Sequence, residues 1–441
     1  MIARKRIVLA TFGSYGDMHP YMAIAMELRA RGHRPVIASS ELYRDKIQAV
    51  GFDFVPVRPN IAPPQQQDQT MMEKIMEPKS GSGYLLNEVL FPFVREGYED
   101  LLRAVEGADL LLTHPISFAG PLVAQTTGIP WISSVLAPVS FFSAYDPPRP
   151  PFWQWMRHMN ILGPRFVAAF LERFKNFYKN EHYEQFRKEL GLPDRGSPLF
   201  EGAHSPSLVL ALFSQHFAQP QLDWPPQAQV TGFAFYDGRN ELEMPPELTR
   251  FLDDGAPPIV FTLGSSAVWV ARDFYRESIA AAKLLGRRAV LLIGDDRNQL
   301  EEALPPGMIA VNYAPFEALL ARACVMVHHG GVGTTSQGLR AGIPTLIVPF
   351  AFDQPDNAAH AARLGGSRTL PRAKYKAARV AKELDKLLTM RDYATKANEI
   401  GKLLRRENGA ATASDLIEQV LQRENNGLVP QLEEPVYASG N

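Results

Sequence analysis

The sequence predicts an α/β protein built from two Rossmann-like domains that face one another across a cleft. Three observations support this prediction. The chain has 441 residues, which exceeds the size that one hydrophobic core usually reaches. A strand, a glycine-rich turn, a helix and a second strand follow one another near its start. Strands of the same buried type, with helical segments between them, recur in the second half.

The first half opens on an apolar run, Ile7 to Ala10, that is typical of a buried strand. A glycine-rich turn from Gly13 to Asp17 follows, and a helical pattern then runs from Tyr21 to Arg31. This order is that of a βαβ unit, so the sheet is expected to be parallel. Further strands in this half are predicted at Pro35 to Ala38, Asp109 to Thr113, and Ile129 to Leu136.

The second half repeats the plan, with strands predicted at Ile259 to Leu263, Ala289 to Ile293, Val325 to Val327, and Thr345 to Val348. We therefore expect a first domain over residues 1–232, a linker over 233–246 and a second domain over 247–425. The last helix is a candidate to pack back on the first domain. Residues 426–441 have the composition of a flexible tail.

Composition and charge exclude several classes of protein. Lys plus Arg number 46 and Asp plus Glu number 47, and this balance argues against a nucleic-acid partner. Cys324 is the single cysteine, so no internal disulfide can form and a reducing, cytoplasmic location is expected. No run of about 18 apolar residues occurs, so no transmembrane helix is predicted.

The turn from Gly13 to Asp17 holds the first candidate catalytic residues. It lies at the carboxyl end of a strand, where open α/β sheets bind ligands. Asp17 is the first candidate for a catalytic base, and the alternative is a favourable charge at a helix N-terminus. His19 is the second candidate, and its alternative is a partly exposed residue before Pro20 at the start of the helix.

The segment from His328 to Thr335 predicts an anion site. It joins an apolar strand to a helix, and its three glycines expose backbone N–H groups that suit a diphosphate. His329 would add a hydrogen-bond donor, and a positive charge if protonated. The alternative is a structural histidine at a strand end.

A polar segment after the next strand predicts a sugar site. Asp353 and Gln354 can hydrogen-bond several hydroxyl groups. The alternative is a polar turn that caps a helix beginning near Pro355.

An aromatic insertion predicts the acceptor wall. Phe141, Trp153 and Trp155 lie in a proline-rich stretch, and a long helical pattern from Arg165 to Leu190 follows. Such side chains suit a flat or aliphatic ligand. Two alternatives stay open: the aromatics pack the core, or the helix makes a peripheral membrane contact.

These motifs together resemble the family 1 glycosyltransferases of the GT-B fold. The stretch from Tyr313 to Gln354 resembles the nucleotide-sugar signature of the plant members. The turn from Gly13 to Asp17, the stretch from Asp223 to Phe233, and Phe261 to Ser265 make the whole chain more similar to bacterial rhamnosyltransferases and to sterol and antibiotic glycosyltransferases.

The resemblance implies an inverting transfer of a hexose, glucose or rhamnose, from a UDP- or dTDP-sugar to a hydroxyl of a small apolar acceptor of phenolic, sterol or lipid type. The first domain would bind the acceptor and the second the nucleotide sugar, which is a co-substrate, so no cofactor is expected. The residues assigned to the donor are Gly13, Ser14, Ser265, Ser266, Tyr313, Ala314, His329, Gly331, Gly333, Thr334, Gln337, Asp353 and Gln354.

The catalytic base departs from the plant pattern. Plant members have a histidine directly after the turn glycine, whereas this chain has Asp17 there, as the bacterial and sterol members do. The plant pattern also includes an acidic partner from a later loop. Here that loop, Thr113 to Ser117, has no acid, so the partner is absent or replaced, and His114 in it is assigned to the acceptor.

Metal-independent transfer is expected because the sequence has no Asp-x-Asp pair to bind a cation that bridges a donor diphosphate. Two other functions stay open at this point: a nucleotide-sugar epimerase on the same fold and a non-catalytic nucleotide-sugar-binding protein.

Overall fold

A computed structural model describes residues 3–60, 69–149, 161–175, 178–200, 202–237, 243–294, 298, 300 and 303–425. Two parallel sheets, one in each half of the chain, confirm the predicted fold class of two α/β domains. The seven strands of the first sheet are β1 (Arg6–Ala10), β2 (Arg34–Ser39), β3 (Asp53–Pro56), β4 (Leu110–Thr113), β5 (Trp131–Val135), β6 (Val209–Ala211) and β7 (Ala228–Val230). Their order across the sheet is β3-β2-β1-β4-β5-β6-β7.

The second sheet has the order β10-β9-β8-β11-β12-β13. Its strands are β8 (Ile259–Thr262), β9 (Ala289–Leu292), β10 (Met308–Val311), β11 (Val325–His328), β12 (Thr345–Ile347) and β13 (Ser367–Thr369). In both sheets the strand order therefore reverses at one point, because the chain adds its first strands toward one edge of the sheet and its later strands toward the other. That point lies between β1 and β4 in the first sheet and between β8 and β11 in the second.

Helices cover both faces of each sheet. They are α1 (Tyr15–Ala30), α2 (Arg44–Ala49), α3 (Gln69–Ile75), α4 (Gly81–Tyr84), α5 (Val94–Ala104), α6 (Ala119–Thr127), α7 (Pro164–Lys175), α8 (Glu181–Glu189), α9 (Pro246–Asp253), α10 (Phe274–Leu284), α11 (Phe316–Leu320), α12 (Val332–Ala341), α13 (Gln354–Arg363), α14 (Ala377–Thr389), α15 (Arg391–Leu404) and α16 (Gly409–Asn425). Within the described ranges, no helix combines the length and apolar character needed to cross a bilayer.

Burial on both faces explains why the strands are continuous apolar runs. In β1, Ile7 and Leu9 pack into one core cluster, while Val8 and Ala10 pack into another on the opposite face. Successive side chains of a strand point to opposite faces, so a strand covered on both sides must be apolar throughout. The predicted strands follow this pattern and are found within two residues of their expected bounds.

The first helix begins six residues earlier than predicted, at Tyr15 instead of Tyr21. Ser14 caps it, and the glycine-rich turn becomes its first turn. Pro20 consequently lies inside the helix and not at its first position. Because proline has no N–H group, the carbonyl of Gly16 lacks its usual helical donor.

The predicted long helix from Arg165 to Leu190 is wrong. The chain forms two helices, α7 and α8, and α8 has its own N-cap. The Asn180 side chain accepts a hydrogen bond from the N–H of Tyr183 over 3.1 Å. This local bond competes with helix continuation, which is why asparagine favours caps over helix interiors.

The last helix packs on the first half of the chain. Ile417 and Leu421 of α16 are buried in the same cluster as Met22 of α1, and Arg31 at the end of α1 forms ion pairs with Asp415 and Glu418. The segment that leads into α16 passes close to Gly232, where the chain leaves the first half. A Cβ atom on Gly409 would lie 2.4 Å from the carbonyl oxygen of Gly232.

We predict that Gly409→Ala destabilises the protein by about 1–3 kcal/mol, because the new methyl group must push two backbone segments apart. Denaturant unfolding of both proteins measures the difference. Gly83→Ala is the matched control, since a Cβ atom there meets no atom within 4 Å. Equal stabilities of Gly409→Ala and the control would contradict the prediction.

Candidate active site

The two points at which the strand order reverses face one another. Asp17 follows β1 and His114 follows β4, so these residues flank the reversal point of the first sheet. The segment His329–Thr334 follows β11, next to the loop after β8 in the second sheet. A Cβ atom on Gly333 would lie 3.6 Å from the Cα of Gly16, so the two turns are in contact. Crevices at such reversal points are the usual ligand sites of open parallel sheets.

Hydrogen bonds from the turn itself hold the Asp17 carboxylate. Its Oδ2 atom accepts from the Ser14 N–H over 2.7 Å and from the Ser14 hydroxyl over 3.0 Å. A Cβ atom on Gly13 would meet this Oδ2 atom at 2.4 Å, so the turn requires glycine there. Ser14 and Gly13, which sequence reasoning assigned to the donor, thus support Asp17. The Oδ1 atom takes no part in this capping interaction.

His114 contacts the other oxygen of Asp17. Its Nε2 atom lies 3.4 Å from Asp17 Oδ1, and its side chain is 6% exposed against 33% for Asp17. The N–H of Ile116 donates to His114 Nδ1 over 3.3 Å, so in the neutral ring the hydrogen resides on Nε2 and points at the carboxylate. The structure therefore brings together a carboxylate and an imidazole where the sequence offered no acidic partner.

His19 lies apart from this pair. Its ring stacks between Tyr15 and Tyr236, with centroids 5.5 and 5.1 Å away. Lys46 Nζ lies 3.1 Å from His19 Nε2. Burial, together with the charge of Lys46, lowers the pKa of His19 to about 3. The alternative interpretation of His19, a partly exposed residue before a proline at the first helical position, is not met either, because the ring is packed between two tyrosines and Pro20 lies inside α1.

A small cavity of about 40 Å³ lies at the same edge of the first sheet, and neither Asp17 nor His114 lines it. Phe12 reaches it from the segment before the turn, and Ile116 and Phe118 reach it from the segment after His114. The opposite wall comes from Val57, Leu90, Phe93 and Val94. None of these residues was singled out by sequence reasoning, because they are spread over four separate segments.

In the second half, the first turn of α12 presents the N–H groups of Val332, Gly333 and Thr334. These groups have no carbonyl partner within the helix and are free to donate to a ligand. His329 is wedged beside them. A Cβ atom on Gly264 would lie 2.5 Å from the His329 ring, and a Cβ atom on Gly331 would lie 2.4 Å from it. Both glycines are therefore required for this ring to fit.

Burial keeps both neighbouring histidines neutral at pH 7. It lowers the pKa of His329 to about 4, so the positive charge considered for this residue is corrected to a neutral hydrogen-bonding group. Burial and the charge of His329 lower the pKa of His328 to about 3. Among the described residues, His329 Nδ1 has no hydrogen-bond partner. His328 Nδ1 accepts from the Gly330 N–H over 3.1 Å.

The predicted sugar pair sits at the start of α13. Asn357, which sequence reasoning missed, donates to Asp353 Oδ2 over 2.6 Å. Gln354 is mostly committed to the backbone, since its Oε1 atom accepts from the N–H groups of Phe350 and Ala351 over 2.8 and 3.0 Å. Its amide nitrogen is left as the group that can donate to a ligand.

Other predicted donor residues differ in how available they are. Tyr313 is 51% exposed, whereas Ala314 is 1% exposed. Arg340 donates to Gln337 Oε1 over 3.1 Å. The backbone carbonyl of Ser265 accepts from Trp269 over 3.0 Å, and Ser266 follows it in the loop after β8.

The predicted acceptor wall is only partly described. Phe141 is a core residue: its ring is 8% exposed and stacks on Trp224 at a centroid distance of 4.1 Å. This corrects its assignment to the acceptor, because an inward-facing ring in a packed cluster cannot line an open wall. Trp153 and Trp155 lie outside the described residues.

Two family descriptions match the chain. Residues 7–85 match the glycosyltransferase family 28 N-terminal domain. Residues 277–418 match the erythromycin biosynthesis protein CIII-like, C-terminal domain.

Known proteins match over nearly the whole chain. O-mycaminosyltylonolide 6-deoxyallosyltransferase of Streptomyces fradiae is 33% identical over 427 residues, which cover 94% of this chain and 97% of that enzyme. Sterol 3-beta-glucosyltransferase of Leptosphaeria maculans is 29% identical over 95% of this chain, although the match spans only 29% of the fungal enzyme. The structure of spinosyn rhamnosyltransferase complexed with thymidine diphosphate superposes with a TM-score of 0.65 at 18% identity, covering 94% of this chain and 100% of that one.

We predict that Asp353 makes stability depend on pH. Burial raises its pKa from 3.8 to about 7, against the hydrogen bond from Asn357 and with help from the charge of Asp17. The folded chain therefore holds a proton that the unfolded chain releases, so the contribution is complete below about pH 4 and is lost as the pH rises to about 7. Asp353→Asn, which cannot ionise, should gain stability relative to wild type between pH 5 and pH 8 in denaturant unfolding. A difference that is the same at both pH values would disprove this account.

Proposed function

This chain belongs to the glycosyltransferases of the GT-B fold, and from that membership we propose that it moves glucose or rhamnose from a UDP- or dTDP-sugar to a hydroxyl group of a small apolar acceptor. The acceptor would be of phenolic, sterol or lipid type. One observation carries the proposal: the turn that holds Asp17 touches the glycine-rich start of α12. A hydroxyl beside Asp17 and a diphosphate on α12 would therefore lie on either side of one sugar ring.

Asp17 would act as the general base. As the acceptor oxygen attacks the anomeric carbon, the hydroxyl proton passes to Asp17 and the bond from that carbon to the diphosphate oxygen breaks, which inverts the configuration. A carboxylate is a weak base for an alcohol, so transfer of the proton must be late and well positioned. The Ser14 hydrogen bonds and the His114 contact fix both oxygens of Asp17 and support that role.

The leaving diphosphate would be stabilised without an imidazolium ion. The amides of Val332, Gly333 and Thr334 and the positive end of the α12 dipole face the place where charge develops. His329 adds a neutral hydrogen bond. These groups do for the diphosphate what a divalent cation does in other transferases, so the proposed transfer is metal-independent.

The proposed apolar character of the acceptor rests on the similarity to named relatives. The cavity at this edge of the first sheet has a volume of about 40 Å³, which is too small to hold such an acceptor. The names of the relatives, a tylonolide deoxyallosyltransferase and a sterol glucosyltransferase, support an acceptor of this kind. The thymidine diphosphate in the rhamnosyltransferase structure makes dTDP-sugars the first donors to test.

The test is mass spectrometry of the products from a panel of donors and acceptors. UDP-glucose and dTDP-rhamnose are each combined with a flavonoid, a sterol and a hydroxy-fatty acid, with and without excess EDTA. We expect at least one glycoside, formed equally well with EDTA. Loss of product with EDTA, restored by Mg²⁺, would refute the metal-free proposal. An epimerised donor without any glycoside would refute transfer itself.

Asp17→Asn should lower the transfer rate by about 10²-fold or more, because the side chain keeps its shape and loses its basicity. Binding of the free nucleoside diphosphate, measured by calorimetry, should stay near the wild-type value. His19→Ala is the comparison and should retain most of the activity. An active Asp17→Asn beside an inactive His19→Ala would assign the base to His19 instead.

A further inference from the structure

The helix that begins at the sugar pair is embedded in the other half of the molecule. Asp353 and Gln354 stand at the start of α13. One and two turns later, Ala358 and Ala361 are buried in a core cluster together with Phe213 and Phe217, which follow β6 of the first sheet. The sugar pair is thus attached to the second sheet at one end and to the first sheet along its helix.

Four charged or polar side chains join α13 to the first half, and we refer to them as the interdomain cluster: Asp146, Asp356, His360 and Arg363. Arg363 donates two hydrogen bonds to the Asp146 carboxylate, over 2.8 and 2.7 Å. Burial opposes the charge on Asp146. The Arg363 hydrogen bonds and the charges of His360, Arg363 and Arg149 nevertheless hold the pKa of Asp146 below its ordinary value.

His360 lies at the centre of this cluster with its side chain 3% exposed. Its Nδ1 atom is 3.1 Å from the carbonyl oxygen of Phe217, which can only accept a hydrogen bond. Its Nε2 atom is 3.6 Å from Asp146 and 3.4 Å from Asp356. One ring therefore contacts the first half of the molecule through both nitrogens.

The partner segment in the first half is itself fixed. Asp223 accepts from the Ser143 hydroxyl and from the Ala144 N–H, each over 2.6 Å. At the other end of the segment, the Arg149 N–H donates to Asp356 over 3.2 Å. Residues 143–149 are therefore anchored to the body of the first half before they meet α13.

From these contacts we infer that the interdomain cluster is a positioning device for transfer. It sets the distance between the sugar held at the start of α13 and the base on the opposite turn, and none of its members touches the reacting atoms. The inference rests on the proposed transfer reaction. Reacting groups must be placed to within about 1 Å for efficient reaction. An ion pair with two-pronged geometry at the domain boundary, next to the buried ring of His360, can supply that placement.

The test compares Asp146→Asn, Arg363→Gln and the double variant with wild type. We expect kcat for transfer to fall by about tenfold or more in each. The affinity for free nucleoside diphosphate should stay within about twofold, because α12 is unchanged. The double variant should be no worse than either single one, since both remove the same ion pair. Arg363→Lys, which keeps the charge and loses the two-pronged geometry, should fall between wild type and Arg363→Gln.

A distance measurement tests placement without turnover. Leu222 and Leu284, which are 86% and 64% exposed in the first and second halves, are changed to cysteine for spin labels in a Cys324→Ser background. The distance distribution should broaden or shift in the double variant. Arg368→Gln is the matched control, because it removes an ion pair with Glu383 that lies wholly within the second half.

Several outcomes would overturn the inference. These are an unchanged kcat with an unchanged distance distribution, a parallel loss of nucleotide affinity, or the same effects in Arg368→Gln. If wild type forms no glycoside, the proposed function fails, while the distance measurement still decides whether the cluster holds the two halves in place. Glycoside formation by wild type and all variants alike would leave the function standing and remove only the positioning role.

Discussion

The close approach of two backbone turns is the constraint on which the rest of the molecule depends. Gly16 lies in the first turn of α1 and Gly333 in the first turn of α12. A Cβ atom on Gly333 would meet, among the described residues, only backbone atoms of Gly16. Each turn lies at the point where the strand order of its sheet reverses, so each is flanked by a second loop that can supply a functional group. His114 comes to Asp17 in this way, and the loop after β8 comes to His329. Glycines in both turns leave room for the Asp17 carboxylate and the His329 ring, so no larger side chain enters the contact.

Burial determines the electrostatic character of the cleft. His328 and His329 lose their charge because water is excluded around them, and Asp353 holds its proton up to about pH 7 for the same reason. The fixed polar groups that remain are backbone amides and a helix dipole, which cannot titrate. The anion site at the start of α12 therefore keeps its charge distribution near neutral pH, whereas Asp353, with its pKa raised to about 7, changes charge there.

Sequence patterns predicted what depends on burial and local turns, and missed what depends on distant segments meeting. The apolar runs of β1 and β8 are sufficient to identify strands, and the same is true of β12 with its three residues. The strands β7 and β13 contain polar residues and lack a continuous apolar run. The glycines around Asp17 and His329 predicted where ligand sites should lie. The partner of Asp17 could not be predicted, because His114 reaches it only through the pairing of β1 with β4. Phe141 was misassigned because a local density of aromatic residues does not indicate whether a ring points inward.

Because α16 packs on α1, the half that contains Asp17 is not one contiguous stretch of the sequence. The half that contains Asp17 is made of an early stretch and the last described helix, with the whole second sheet inserted between them. Natural or engineered recombination between relatives, which exchanges contiguous gene segments, would have to join the parent chains at two places to transplant this half intact. A single crossover near Gly232 would pair one parent's α1 with the other parent's α16, and the ion pairs of Arg31 would then have to match across lineages.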